Sequence, residues 1–193
     1  MARAQAVVGS EPLGRFFTGH EADGAKARAD HASHLAFHWD PAQRRLLVIA
    51  PHCLDRREST WEERRSIEVL APALEELLEL RPGSAGRLLL QFHSIVSEDP
   101  LLVAARSWTS VTPYAVTRHK KRSSAAEVIL EDVIAECQRR GLPRPRVTVL
   151  EARGVPGQGL EGRARLDFEV AVNGPVVLGR TRYLGGGLFA PAS

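Results

Sequence analysis

Cysteine, lysine and long apolar runs are scarce in this sequence. Only two of its 193 residues are cysteines. Cys53 and Cys137 lie far apart and have no C-x-x-C partner, so we expect two buried thiols rather than a disulfide framework or a zinc knuckle. No apolar run approaches the about 18 residues of a membrane helix, and the opening MARAQAVVG is too short for the apolar part of a secretory signal. We therefore expect a cytoplasmic protein.

The charged residues are unevenly distributed along the chain. Residues 1–105 carry 12 Lys and Arg against 15 Asp and Glu, whereas residues 106–193 carry 14 against 8. A basic half attracts polyanions, because contacts from Arg and Lys to phosphates usually supply most nucleic-acid affinity. Only three of the 26 basic residues are lysines, so a GC-rich genome is a second explanation for part of the arginine content.

The first half of the chain predicts the order β-β-α-β. HLAFHW (34–39) and RLLVIA (45–50) read as strands around a DPAQ turn, which makes a hairpin. A capping box over Ser59–Glu62, followed by apolar residues at helical spacing, predicts a helix that continues up to Arg81 with a kink at Pro72. RLLLQFH (87–93) then predicts a strand.

The second half predicts the order β-α-β-β-β. WTSVTPYAVT (108–117) is extended but broken by Pro113, and a capping box over Ser124–Glu127 opens a helix to Arg140. Three further strands are predicted at 146–150, 166–172 and 176–178. The whole pattern predicts an α+β fold of two tandem ferredoxin-like, or RRM-like, units with antiparallel sheets, one over residues 1–105 and the other over 106–193.

The C-terminal segment GPVVLGRTRYLGGGLF (174–189) combines glycine with positive charge. Successive amides without side chains form a concavity that binds phosphate, and the alternative for a glycine triplet is a flexible turn. Arg180 and Arg182 favour the phosphate interpretation, and Tyr183 either stacks on a base or packs in the core. The RNA-binding residues predicted in this glycine-rich loop are Gly179, Arg180, Arg182, Gly185 and Gly187.

This segment resembles the C-terminal glycine-rich loop of the repeat-associated mysterious protein (RAMP) superfamily, in particular of Cas-six-type CRISPR RNA-processing endoribonucleases. Four other stretches agree: WTSVTPYAVTRHKK (108–121), RGLPRPRV (140–147), HLAF (34–37) and FTGHEADG (17–24). Taken in order, they resemble the Cas-six-like portion of the fused Cas-five/Cas-six protein of type I-G (formerly I-U) CRISPR systems. The similarity spans nearly the whole chain.

The resemblance implies sequence-specific, metal-independent cleavage of the CRISPR repeat in precursor crRNA. The ribose 2′-OH attacks the adjacent phosphorus and leaves a 2′,3′-cyclic phosphate and a 5′-OH, and no cofactor is required. The implied partners are the repeat RNA, a Cas-five-like domain and other type I effector subunits, with no membrane.

Histidine suits the proton transfers of this reaction, because imidazole titrates near neutral pH. His20 and His34 fall in stretches that match the family and His31 lies close by, so these three are the catalytic candidates. His38, His52 and His93 flank or end strands and are interpreted as structural. A basic segment is expected to contact RNA phosphates; it consists of Arg118, His119, Lys120, Lys121 and Arg122.

Rival functions use some of the same residues. His31 and His34 could pair on a metal, but no third ligand has suitable spacing. A two-histidine phosphodiesterase would need a second H-x-S/T motif, and the sequences after His93 and His119 do not provide one. The alternative that stays open is a non-catalytic RNA-binding subunit of a type I effector complex, which would use the same basic face.

Overall fold

The computed structural model describes residues 14–20, 25, 34–81, 83, 86–118, 123–157 and 159–192. The fold is α+β with antiparallel strand pairing. Two compact units are present: unit 1 comprises residues 1–35 and 57–96, and unit 2 comprises residues 36–56 and 97–193. In the described ranges no helix is long and apolar enough to cross a membrane. The division into folding domains at residue 105 stays a prediction, because compactness alone does not show which segments fold independently.

The helices are α1 (Arg15–Thr18), α2 (Pro51–Asp55), α3 (Trp61–Glu75) and α4 (Ala125–Arg139). The strands are β1 (Ala36–Asp40), β2 (Arg45–Ile49), β3 (Glu79–Leu80), β4 (Leu88–Leu89), β5 (Ala104–Ser110), β6 (Tyr114–Ala115), β7 (Arg146–Val155), β8 (Gly159–Asn173), β9 (Val176–Val177) and β10 (Leu188–Pro191). A short 3-10 helix spans Arg182–Leu184 within the glycine-rich loop.

Helix α3 of unit 1 begins one residue later than the capping-box prediction placed it. Thr60, not Ser59, is the N-cap: its hydroxyl accepts the amide of Glu63 at 3.2 Å, and the Glu63 carboxylate accepts the Thr60 amide at 2.8 Å. Both Ser59 and Thr60 are followed three residues later by Glu, so the pattern alone could not choose between them. Arg57 forms an ion pair with the same carboxylate at 2.6 Å, which offsets the cost of burying the charge of Glu63.

The end of α3 and the strand after it also differ from the predictions. The helix ends at Glu75, and Glu79–Leu80 pairs with Leu88–Leu89 as a separate two-stranded sheet. The predicted strand over 87–93 is therefore reduced to two residues. Leu88 and Leu89 are exposed, so this pair of strands buries little apolar surface, and a longer pairing would gain little stability from burial.

Strand β8 is the central strand of the main sheet in unit 2. Leu166 pairs with Val147 of β7 on one side and with Trp108 of β5 on the other, so β7 and β5 occupy opposite edges of β8. Strand β6 pairs with the same edge of β8 as β5, β10 pairs with β5, and β9 pairs with β10. Strand β10 was not predicted from the sequence, because its residues follow directly after the glycine triplet.

The core of unit 2 lies between this sheet and α4. Alternate residues of β8 are buried from Leu160 to Phe168 and again at Val172, whereas Val170 is 54% exposed. The predicted capping box of α4 is confirmed, because the Ser124 hydroxyl accepts a hydrogen bond from the Glu127 amide at 3.3 Å.

Cys137 is buried on α4, and burial raises the pKa of its thiol to about 12. The prediction of a buried thiol was wrong for Cys53, which is partly exposed. Other core members are Trp108, Tyr114, Ile129, Val133, Leu166 and Phe189.

The predicted hairpin is confirmed as β1 and β2, in register from Ala36 opposite Ile49 to Asp40 opposite Arg45. Asp40 fixes the turn: its carboxylate accepts the Ala42 amide at 3.1 Å and the Arg45 side chain at 2.9 Å. Within the described residues the first half thus contains two separate pairs of strands, β1–β2 and β3–β4. The hairpin belongs to the same compact unit as the glycine-rich loop.

Candidate functional site

Two of the predicted catalytic histidines lie at one turn of unit 1. Gly19 is the C-cap of helix α1: it has a left-handed φ of 68°, and its amide donates to the Arg15 carbonyl at 2.9 Å. The imidazole of His34 packs against this glycine: a Cβ built on Gly19 would lie 2.9 Å from Cδ2 of His34. His20 follows Gly19 directly. The fold therefore places the His34 ring against Gly19, the residue that precedes His20, whereas His31 falls outside the described residues.

Backbone contacts fix the position and the tautomer of His34. Its Nδ1 lies 2.8 Å from the Leu35 carbonyl oxygen. A carbonyl can only accept, so Nδ1 carries the hydrogen and, in the neutral ring, Nε2 carries the lone pair. The Leu35 amide in turn donates to the carbonyl of the buried Phe16 at 2.8 Å. His34 is half-buried and His20 is exposed, and a lone pair on an imidazole nitrogen is the feature that a general base requires.

The glycines of the C-terminal loop have backbone angles and close neighbours within unit 2 that leave little room for a side chain. Gly179, Gly185 and Gly187 have φ values of 95°, 89° and 72°, which side chains rarely adopt. A Cβ on Gly187 would overlap the carbonyl oxygen of Leu178, and one on Gly185 would lie 2.9 Å from the carbonyl oxygen of Phe37. The amide of Gly187 donates to Pro113 at 2.8 Å, so it is already used within the fold.

The aromatic and one of the arginines of the loop take part in a polar cluster around Asp55. The Tyr183 hydroxyl donates to this carboxylate at 2.9 Å, Arg140 donates to it at 2.6 Å, and Arg182 lies 3.5 Å from it. The Arg182 guanidinium also lies 4.9 Å from the centroid of the Tyr183 ring, within range of a cation–π interaction. Of the two roles predicted for Tyr183, the structure has the core role, since the residue is 7% exposed.

Burial and the Asp55 carboxylate raise the pKa of Tyr183, so this hydroxyl stays protonated and acts as a donor. Arg182 is held by Asp55 and Tyr183, and its side chain is only 16% exposed. The predicted contact of Arg182 with RNA stays a prediction. The contacts that the structure contains are those with Asp55 and Tyr183. The cluster anchors the 3-10 helix of the loop to α2 and α4.

His38 lies beneath the same loop. Its Nε2 donates to the Arg182 carbonyl at 2.7 Å, and the residue is completely buried in β1. Burial lowers the pKa of His38, an effect that the carbonyls of Arg182 and Gly185 partly oppose. Its Nδ1 is buried without a hydrogen-bond partner in the part of the chain that the structure describes. The neutral ring is thus the form that this position favours, in agreement with a structural role.

Two of the predicted cationic RNA-binding residues are exposed and attached to strand β6. Arg180 donates its amide to the Ala115 carbonyl at 2.9 Å, and Arg118 follows Ala115 by three residues. Asp132 of α4 holds the intervening chain, because its carboxylate accepts the Thr117 amide at 2.5 Å and the Tyr114 hydroxyl at 2.6 Å. The rest of the basic segment lies outside the described residues: His119, Lys120, Lys121 and Arg122.

No sequence pattern indicates that Asp55, Arg140 and His38 support the loop. Tyr183 and Asp55 are 128 positions apart, and His38 and Arg182 are 144 positions apart.

In the described ranges no group of three or more His, Cys, Asp or Glu side chains is placed to hold a metal ion. No model of a known protein family, no curated protein and no solved structure matches this chain significantly. Its chemistry is therefore inferred from the histidines of unit 1 and the cations of unit 2.

Proposed function

We propose that this chain is a metal-independent endoribonuclease that cleaves CRISPR repeat RNA in precursor transcripts. The observation that carries the proposal is the position of His34 and His20 beside Gly19, with the Nδ1 proton of His34 directed to the Leu35 carbonyl. Transfer of an RNA phosphoryl group to its own 2′-oxygen needs one group that accepts a proton and one that donates a proton. Two histidines at one turn can supply both.

In the proposed reaction, Nε2 of His34 accepts the proton of the ribose 2′-OH. The 2′-oxygen then attacks the adjacent phosphorus, and the bond from phosphorus to the 5′-oxygen breaks. His20, in its protonated form, donates to the departing 5′-oxygen. The products are a 2′,3′-cyclic phosphate and a 5′-OH, so atoms and protons balance without a cofactor.

The charge of unit 2 supports RNA binding by this unit. It carries 17 Lys and Arg against 12 Asp and Glu, a balance of +5, whereas unit 1 carries 9 against 11, a balance of −2. Arg118 and Arg180 are exposed near β6 and would contact phosphates, together with the basic segment that follows Arg118. The proposed partners are precursor repeat RNA, a Cas-five-like domain and other type I effector subunits in the cytoplasm.

The arrangement of the main sheet supports a ferredoxin-like interpretation of unit 2. In the order β5, α4, β7, β8, β10, the first strand lies between the third and the last, and the second lies at the edge beside the third. This is the arrangement of a ferredoxin-like sheet, with the glycine-rich loop and its 3-10 helix in place of the second helix. A second such unit over the first half belongs to the proposal.

The charge difference between the units also favours a second candidate, an RNA-binding subunit without nuclease activity. The histidines lie in unit 1, whose net charge is negative, while the excess of cations lies in unit 2. Such a subunit would hold the repeat RNA of an effector complex through unit 2 and would not need the two histidines.

A cleavage assay in chelator separates the candidates. Purified protein is incubated in EDTA with repeat RNA labelled at its 5′ end, and the products are resolved on a denaturing gel. A single cut with a cyclic phosphate end supports the nuclease. Binding without any cut supports the subunit, cleavage that needs a divalent metal contradicts metal independence, and absence of both binding and cleavage contradicts both candidates.

A further inference from the structure

The hairpin of unit 2 places its largest apolar side chains on the outside. Phe37 and Trp39 of β1 are each 51% exposed, whereas Ala36, His38 and Asp40 are buried. Apolar residues normally occupy the inner face of a strand that packs on a core, so β1 has the reverse of the usual pattern. A surface of this kind in a water-exposed position indicates an interaction site.

Contacts of the inner face explain why β1 keeps this orientation. His38 donates to the Arg182 carbonyl at 2.7 Å, and Asp40 pairs with Arg45 at 2.9 Å. A shift of the strand by one residue would turn Phe37 and Trp39 inward, but it would break both of these contacts. The two aromatic rings are thus held on the outer face by the polar residues that alternate with them along β1.

The outer face of the hairpin combines aromatic and cationic groups without an exposed acid. Across β1 and β2, Phe37 lies opposite Val48 and Trp39 lies opposite Leu46. Arg44 is exposed in the turn, two residues before Leu46, the partner of Trp39. Over residues 36–49, all of which the structure describes, the one carboxylate is that of Asp40, which is 2% exposed. Aromatic faces beside a cation, with no exposed carboxylate, complement a base and its phosphate.

We infer that Phe37 and Trp39 form a stacking platform for unpaired bases of the RNA, an inference that rests on the proposed RNA-binding function. Alternate residues of one strand are about 7 Å apart, roughly twice the 3.4 Å rise of stacked bases. Two bases seated on the two rings would therefore be separated from one another rather than stacked in a helix. The platform thus selects single-stranded flanks or loops of the RNA, and the Phe37 carbonyl beside Gly185 joins it to the glycine-rich loop.

Binding of a labelled oligouridine tests this inference, with a blunt RNA duplex for comparison and affinity measured by fluorescence anisotropy. Replacement by leucine keeps apolar bulk and removes the aromatic face, so Trp39→Leu and Phe37→Leu should each weaken oligouridine binding about tenfold. Trp39→Tyr should retain most of the affinity. Trp61→Leu is the matched control, because Trp61 is another exposed tryptophan, 64% exposed, and belongs to unit 1. Duplex affinity should change little in all four variants.

A spectroscopic measurement gives a second readout. In a Trp61→Phe background the remaining tryptophans are Trp39 and the completely buried Trp108. Oligouridine should then quench the fluorescence of Trp39, and the quenching should disappear in Trp39→Tyr. Thermal melting of each variant checks that the fold is retained, as expected for exposed positions.

The outcomes separate failure of the platform from failure of the proposed function. If the wild-type protein binds or cleaves repeat RNA but Trp39→Leu and Phe37→Leu bind oligouridine normally, and oligouridine does not quench Trp39 in the Trp61→Phe background, the platform is wrong and the function stands. If the wild-type protein binds neither RNA, both are wrong. If ultracentrifugation shows a dimer that Trp39→Leu and Phe37→Leu dissociate while RNA binding is unchanged, the face is an interface between two copies and the platform is wrong.

Discussion

Nε2 of His38 donates a hydrogen bond of 2.7 Å to the main-chain carbonyl of Arg182. This bond joins strand β1 to the C-terminal loop, and it requires the hydrogen to reside on Nε2. Protonation of the ring would place a second N–H at Nδ1, which is buried and has no acceptor in the described part of the chain. The fold therefore favours neutral His38, and its stability should depend on pH.

The first prediction concerns this pH dependence. The pKa of His38 is below 6.5 in the folded chain, so the unfolded chain binds the proton more readily, and the free energy of unfolding should fall as the pH decreases below about 6.5. Urea titrations between neutral and mildly acidic pH should show a smaller fall for His38→Gln than for the wild type. His93→Gln alters an exposed histidine and should keep the wild-type slope. Equal slopes in all three proteins would contradict the prediction.

The second prediction concerns Gly187. Alanine at this position would overlap the Leu178 carbonyl and would have to adopt a φ of 72°, so Gly187→Ala should lower the free energy of unfolding by at least about 2 kcal/mol. Gly154→Ala is the control, because a Cβ at Gly154 meets nothing within 4 Å. Chemical denaturation of both variants measures the difference. Similar stabilities would show that the loop relaxes around an added side chain.

The third prediction concerns the polar cluster. Asp55→Ala leaves the buried ends of Arg140 and Arg182 without their shared carboxylate and should destabilise unit 2 by about 2 kcal/mol. Tyr183→Phe removes one hydrogen bond and should cost about 1 kcal/mol. Glu161→Ala removes the partner of the exposed Arg153 and should cost less than Asp55→Ala. A loss for Asp55→Ala no greater than for Glu161→Ala would make the cluster energetically unimportant.

The fourth prediction concerns catalysis. His34→Ala and His20→Ala should each reduce repeat cleavage about 100-fold or more, because each removes a proton-transfer group, and RNA affinity should be largely retained. His93→Ala should cleave at the wild-type rate. Single-turnover cleavage and filter binding on the same preparations provide both quantities. Wild-type rates for both His34→Ala and His20→Ala would refute their assignment and make His119 the next candidate.

The fifth prediction concerns the basic segment. Replacing Arg118, Lys120, Lys121 and Arg122 together by alanine should weaken binding to all RNA sequences and flatten its dependence on salt, because fewer counterions are released. Arg81 and Arg87 of unit 1 pair with Glu79 and are exposed, so their double alanine variant is a suitable control. An unchanged salt slope in the fourfold variant would contradict the proposed phosphate contacts.

Local patterns predicted several elements of the fold well. The DPAQ turn specified the β1–β2 hairpin, and the second capping box specified the start of α4 at Ala125, because the interactions involved span only a few residues. The prediction failed at Ser59, where two adjacent residues have equally good capping patterns. It also failed over 87–93, where an apolar run lacks a partner long enough to make a strand.

The candidate site could be predicted only in part. The resemblance to a known family indicated His20 and His34, and the fold places the His34 ring against Gly19, the residue before His20. The supports of the glycine-rich loop could not be predicted, because Asp55 and His38 reach Tyr183 and Arg182 through tertiary contacts that have no sequence period. The inverted exposure of Phe37 and Trp39 was missed for the same reason, since the strand pattern alone does not say which face meets the loop.

The chain passes between the two units three times, at residues 35/36, 56/57 and 96/97. A gene fragment that starts at residue 106 would therefore encode the C-terminal loop without the hairpin and α2 that support it. In such a fragment Tyr183 would lack the carboxylate that lies 128 residues upstream, and the Arg182 carbonyl would lack its imidazole donor. The conformation of the loop thus depends on two segments that are far apart in the sequence. A separate peptide covering residues 36–56 should therefore restore it by fragment complementation.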